Sequence, residues 1–166
     1  MVDLWLDSNI FIDSKSRFYT FDIAPGFWRI LEDKAAKNIL KIPSTVYQEI
    51  TGHFDHQDEL CRWLIQRESI FSVPPDAPAQ AAYSQVVGHV STAYDYRHAT
   101  EFYGKADGWL VAYAVSHGGS VVTFEARDNS VNWAKKKVKI PNVCDAFHIS
   151  CLERDGMMRQ LGAVLN

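Results

Sequence analysis

Four acids stand out by where they fall along the chain: Asp7, Glu49, Asp107 and Glu125. Asp7 follows the short apolar run 2–6, and Glu125 follows the β-branched run 120–124. Glu49 lies on a helical pattern after a second apolar run, and Asp107 opens the helical pattern before the third. Carboxylates crowded without counter-charges repel one another and hold their protons more tightly. A hard divalent cation relieves that repulsion, and carboxylate oxygens with waters suit Mg²⁺ or Mn²⁺ better than Zn²⁺. One or two such ions can hold a phosphodiester, lower the pKa of a water and stabilise a leaving oxygen. The donors must come from separate elements, because no single helix can surround an octahedral ion.

Each acid also has a plainer use. Asp7-Ser8-Asn9 makes a good turn and cap, and Asp107 suits the first turn of a helix. Glu49 alone is a solvated helix position, and Glu125 alone is a polar strand end. Only their joint placement points to a site. In an open parallel sheet the ligand crevice lies outside the carboxyl ends of the strands, so Asp7 and Glu125 meet there if their strands are neighbours.

The elements that must position these acids follow from periodicity. Runs 2–6, 39–42 and 120–124 predict buried strands, and 137–140 and 148–151 predict two shorter ones. Residues 7–9 read as a polar turn, 10–12 open a first helix, and 17–24 form an irregular aromatic stretch before a helix from Pro25. The next helix starts at Pro43, with Thr45 and Gln48 placed for a capping box, and runs to about Phe54. Further helices are expected over 58–69, over 77–103 with a break near Gly88 or within 94–98, and over 106–117, where Gly118-Gly119 suits a C-cap. Residues 72–76 read as a turn, 141–147 as helical or turn-like, and 153–165 as a closing helix. Strands alternating with helices predict an α/β fold with a central, mainly parallel sheet, and 1–166 reads as a single domain.

Composition narrows the function classes. The chain has 166 residues, 47% hydrophobic and 22% charged, enough for a core without disulfides or structural metal. Lys plus Arg is 17 against 20 for Asp plus Glu, a net charge of −3, which excludes coating nucleic acid by bulk charge but leaves room for a local basic groove. The longest apolar run, 109–115, falls short of the roughly 20 residues a bilayer requires, and the amino-terminal residues lack a signal-peptide pattern. A cytoplasmic protein without membrane contact is expected. Three cysteines without a CxxC pair predict reduced thiols packed as small hydrophobes, and Cys144, His148 and Cys151 lack a fourth ligand for zinc. His53, His56, Asp55 and Asp58 lack HExxH spacing and read as a polar helix connection. No GxSxG elbow, Walker A loop or GxGxxG fingerprint occurs.

Beyond Glu125 lies a basic cluster, Arg127, Lys135, Lys136, Lys137 and Lys139. It can grip the phosphates of a polyanion beside the acids or be a solvated loop. Trp133, Phe18, Tyr19 and Phe21 can stack on bases or pack in the core. Tyr83, Val86, Val87, Val90 and Tyr94 share a helical face that serves either a homodimer contact or the core.

Leu4-Trp5-Leu6-Asp7-Ser8-Asn9-Ile10-Phe11-Ile12 resembles the opening motif of PIN-domain nucleases. Val46-Tyr47-Gln48-Glu49-Ile50 resembles their second acidic position, 106–114 around Asp107 their third, and Val121-Val122-Thr123-Phe124-Glu125 their fourth. The aromatic segment 18–28 and Lys139-Ile140-Pro141-Asn142-Val143-Cys144 are similar to the DUF4411 branch of PIN-like proteins, so the resemblance covers nearly the whole chain. It implies a three-layer PIN-like fold and Mg²⁺- or Mn²⁺-dependent endoribonuclease activity on RNA. By analogy with VapC-type toxins it also implies a toxin paired with an antitoxin protein. Carried over by position, Asp7, Glu49, Asp107 and Glu125 are the metal-binding acids, and Asn9 and Thr123 are polar supports. Many PIN sequences carry Asp at the fourth position, so Glu125 has a competitor in Asp128. Two rival readings stand beside this one. Haloacid-dehalogenase chemistry needs Asp-x-Asp after the first strand, where this chain has Asn9. A catalytically inactive PIN-like module would bind RNA or a protein without turnover.

Overall fold

The computed structural model describes residues 2–53 and 57–165, with His53 described by its backbone alone. At its centre is β1 (Leu4–Leu6), three residues whose side chains are all buried. It pairs in parallel with β2 (Leu40–Pro43) on one side and β4 (Ser120–Val122) on the other. The edges are β3 (Ser72–Val73) beside β2, and β5 (Cys151–Leu152) beside β4. The order is therefore β3-β2-β1-β4-β5, all parallel, with the order reversing between β1 and β4.

Strand alternation builds two cores from one sheet. Leu4, Leu6, Leu40, Ile42 and Val122 face one side, while Trp5 and Val121 face the other. Successive strand residues point to opposite faces, and a sheet buried on both faces reads as a continuous apolar run. The first face is covered by α1 (Ser8–Asp13), α2 (Pro25–Ala36), α3 (Ser44–His53), α4 (Glu59–Ile65), α5 (Glu68–Phe71) and α10 (Arg154–Gln160). The second is covered by α6 (Ala77–Ala93), α7 (Tyr96–Tyr103), α8 (Asp107–His117) and α9 (Ile140–Ala146). The result is the α/β architecture of three layers around a parallel sheet that the alternation predicts. Among the described residues, no helix is long and apolar enough to cross a membrane.

Several local expectations need correction. Residues 137–140 are not a strand: Val138 and Ile140 are buried in alternation, but β5 already occupies the open side of β4, and α9 begins at Ile140. Ser72-Val73 is a strand rather than a turn, because Ile42 and Pro43 of β2 offer it an edge. The last strand is Cys151–Leu152, later than 148–151, and α10 ends at Gln160 rather than Leu165. Residues 58–69 hold two helices, α4 and α5; of the two places expected for the break in 77–103, the structure takes the second, at Tyr94-Asp95. The Thr45 capping box does not form: Pro43 stays in β2 and the Thr45 hydroxyl has no hydrogen-bond partner. The expected helix end at Phe54 and the His53–His56 group lie outside the described residues. Val86, Val90 and Tyr94 are buried in the second core, so that face packs the core rather than a second copy.

The turn between α8 and β4 is tightly specified. Gly119 has φ +104°, and Ser120 donates its N–H to Asp3 O at 2.9 Å. A Cβ at Gly119 would run into that same Asp3 carbonyl. Gly119→Ala adds a left-handed strain of about 1–3 kcal/mol to this clash, where β1 and β4 begin to pair. The expected outcome is a clear fall in thermal unfolding temperature, read by circular dichroism.

Candidate active site

The reversal of strand order between β1 and β4 opens a crevice at their carboxyl ends. Asp7 leaves β1 there, and Thr123 to Glu125 leave β4 beside it. Asp7, Ser8, Asn9, Ile12, Glu49, Lys105, Asp107 and Glu125 line one cavity of about 290 Å³. Four segments far apart in sequence thus bring their acids to one place. Two roomier clefts, about 430 Å³ beside α2 and about 510 Å³ beside β3, have no buried titratable side chain in their walls.

The plain use of Asp7 as a cap is not what the structure does with it, whereas Asp107 does take a first-turn position and lines the cavity from it. Asp7 occupies the N-cap position of α1, yet its side chain makes no capping bond. It accepts instead from the Thr123 hydroxyl at 2.7 Å. Asp107 sits in the first turn of α8, directly after the N-cap residue Ala106. It is placed by Gly108: a Cβ there would meet the rings of Tyr83 and Phe102 at 3.0 and 3.2 Å, so glycine lets α8 lie close to α6 and α7.

Thr123 and Asn9 tie the two strand ends together. The Thr123 hydroxyl gives its proton to Asp7 and accepts from Asn9 Nδ2 at 3.2 Å and from the Glu125 N–H at 3.1 Å. That uses its one donor and both acceptor lone pairs. Asn9 Oδ1 in turn accepts from the Phe124 N–H at 3.2 Å. Asn9 is a strut between β1 and β4 rather than a proton donor, which removes the dehalogenase-type reading a second time.

Burial and like charge both act on these acids. Asp7 is 4% exposed and Asp107 8%. Burial pushes Asp7 from its ordinary 3.8 up to about 6; the Thr123 hydrogen bond pulls it back, and the charges of Glu125 and Glu49 add to the rise. Burial pushes Asp107 up to about 7, with Asp7, Glu125 and Glu49 reinforcing and Lys105 opposing. Glu125 has one oxygen fixed by the Ile140 N–H at 2.8 Å, at the start of α9.

The two candidates for the fourth position are placed differently. Asp128 turns away from the cavity, accepts from Ser130 N and Oγ at 2.9 and 2.6 Å, and lies 3.8 Å from Lys136. Glu125 is the acid that shares the cavity.

Among the described residues that line the cavity, the charged groups are four carboxylates and the ammonium of Lys105, and the charged donors are all oxygen. Among the described residues, no three His, Cys, Asp or Glu are gathered closely enough to enclose an ion. Mg²⁺ does not require such a cage, since it keeps several waters and binds through one or two carboxylates. Residues of this kind fit a hydrated Mg²⁺ or Mn²⁺ and do not fit a soft metal.

The basic cluster divides. Arg127 is committed to Asp145 by two hydrogen bonds of 2.5 and 2.7 Å and lines a neighbouring cavity that shares Glu125 with the acid cavity. Lys136 faces Asp128, while Lys135 is exposed. Lys137 lies with Lys105 along Asp107. Trp133 packs edge-on against Tyr94 in the second core. Lys105 is the cavity residue that sequence reasoning missed. Its signal was a lysine two residues before Asp107, in the turn between α7 and α8.

The model of a domain of unknown function, DUF4411, matches residues 4–165. The chain belongs to the DUF4411 family. None of the curated proteins compared with it matches. For this DUF4411 protein the acids of the cavity therefore carry the functional argument.

Carboxyls held above their unfolded value favour the protonated state. Their contribution to stability is complete below about pH 4 and is lost as pH rises through about 7. Asp107→Asn removes one such charge at nearly constant shape. In EDTA the variant is expected to unfold at the wild-type temperature near pH 4 and several degrees above it at pH 8. A thermal unfolding series in pH checks this, and equal curves at pH 8 contradict it.

Proposed function

We propose that this DUF4411 protein is a metal-dependent endoribonuclease with a PIN-like site, serving as the toxin of a type II toxin–antitoxin pair. The observation that carries the enzymatic part is the shared cavity: acids from four separate segments, two of them buried and in no salt bridge among the described residues, at the sheet's switch point. The likeness of four ordered motifs to PIN nucleases and VapC-type toxins supports RNA as substrate, a cognate antitoxin protein as partner, and a cytoplasmic setting.

Asp7, Glu49, Asp107 and Glu125 would hold Mg²⁺ or Mn²⁺. When bound, such an ion neutralises the carboxylates, draws in a phosphodiester and makes a water more acidic. The chain's own groups supply the rest. Thr123 and Asn9 hold the ends of β1 and β4 at fixed separation, so Asp7 and Glu125 face each other without rearrangement. Glu125 keeps one oxygen on the Ile140 N–H and has the other to orient a water. Lys105 offers an ammonium to a phosphate oxygen inside the cavity, with Lys137 next to it and Lys135 and Lys136 on the outer loop. Arg127 serves this purpose only by giving up Asp145.

Asp7→Asn and Asp107→Asn are each expected to reduce Mn²⁺-dependent RNA cleavage at least about a hundredfold, in line with loss of a group needed for a charged transition state. Both variants should keep the wild-type circular dichroism spectrum. Mn²⁺ should raise the unfolding temperature of the wild type, as any ligand of the native state does, and should leave Asp107→Asn nearly unmoved. Unchanged cleavage by the double variant would overturn the reading. Mn²⁺ binding without turnover of any RNA would favour an inactive binding module instead.

A further inference from the structure

Phe18 is the exception among the aromatic residues of the segment 18–28. Tyr19 packs on Phe27 with ring centres 4.7 Å apart, and Phe21 stacks on Trp28 at 4.1 Å, both against the first core. Phe18 is 51% exposed. An α-helix continued from α1 would carry it along the stripe of Ile10, Phe11 and Ser14, which are all fully buried. A π-helical turn over Ser14–Phe18 intervenes, closed by the Tyr19 N–H on Ser14 O at 2.6 Å, and takes Phe18 off that stripe. Such turns cost helix regularity and occur often at functional sites.

One exposed phenyl ring needs no explanation by itself. This one is held. Its centre lies 5.9 Å from that of Phe124, with the planes 30° apart. The Arg154 guanidinium lies 4.5 Å from the Phe18 centre, 4.6 Å from that of Tyr19 and 5.3 Å from that of Phe124. Arg154 is only 9% exposed; its Nε and Nη2 reach Asp155 at 2.9 Å, while Nη1 is buried without a hydrogen bond. A nearly buried cation lying against three rings fixes them in place. Phe124 stands between Thr123 and Glu125 and donates its N–H to Asn9, so the backbone that carries its ring runs beside two residues of the acid cavity, Asn9 and Glu125. Arg17, with 72% of its side chain exposed, lies beside Phe18 in the same turn.

We propose that Phe18, backed by Phe124 and Arg154, is a stacking platform for one unpaired nucleobase of the RNA strand whose phosphate enters the acid cavity. This rests on the ribonuclease reading and narrows it: the substrate is single-stranded at that nucleotide, because a base within an A-form duplex cannot offer its face to a side chain. Stacking tolerates any base, since every base has a π-face. A ring already immobilised by Arg154 loses little rotamer freedom when the base arrives.

The test compares the wild type with Phe18→Ala, Phe18→Leu and Phe18→Trp in Mn²⁺-dependent cleavage of a short single-stranded RNA, and of the same RNA with one abasic nucleotide walked along it. Phe18→Ala and Phe18→Leu are expected to raise KM roughly 5- to 100-fold, with a smaller effect on kcat, while Phe18→Trp stays near the wild type. One abasic position should cost the wild type a similar factor and cost Phe18→Ala almost nothing. A wild-type KM in folded Phe18→Ala, or equal abasic penalties in both proteins, would overturn the platform while leaving cleavage intact, and would assign the patch to a protein partner. Absence of cleavage by the wild type would overturn the ribonuclease reading and this inference together.

Discussion

Repulsion between carboxylates brought together in a poorly solvated notch is the constraint around which this molecule is arranged. Asp7 and Asp107 are buried, share the cavity with Glu49 and Glu125, and among the described residues meet one lysine there. Charges of one sign at such depth disfavour the fold that gathers them. The fold tolerates them because two apolar layers, one on each face of the sheet, supply the stabilisation elsewhere. The strain is therefore confined to one spot at the strand ends, which is where a polar ligand can relieve it.

Central placement of β1 makes this possible. With β2 on one side and β4 on the other, its backbone is fully paired and its three side chains divide between the two cores. The chain that leaves β1 has one direction to go, into the gap where the strand order reverses. The Thr123 hydroxyl then converts proximity into fixed geometry, since it bonds Asp7, Asn9 and the Glu125 amide at once. Losing it would free Asp7 and unhook the start of the β4 loop together.

Positive charge is distributed with restraint. Much of the basic cluster beyond β4 is occupied by acids, Arg127 with Asp145 and Lys136 with Asp128. Lys105 and Lys137 stand closest to the acids. They give the cavity a cationic side near Asp107.

The strands that β-branched and apolar runs mark out, β1, β2 and β4, were legible because burial on both faces leaves an unbroken apolar signature. The acids at their ends were legible for the same reason: a charged residue directly after such a run must lie at a sheet edge or crevice. What depended on a distant partner was not legible. Val138 and Ile140 alternate into the core as strand residues do, yet no strand edge was open to them, whereas Ser72-Val73 found one beside Ile42 and Pro43. The choice of Glu125 over Asp128, the pairing of Arg127, the entry of Lys105 into the cavity and the outward turn of Phe18 all depend on contacts across the fold. Residue type and spacing determined which groups could do chemistry; the tertiary structure alone decided which of them share a cavity, because hydrogen bonding and charge pairing act over ångströms in space and are blind to separation along the chain.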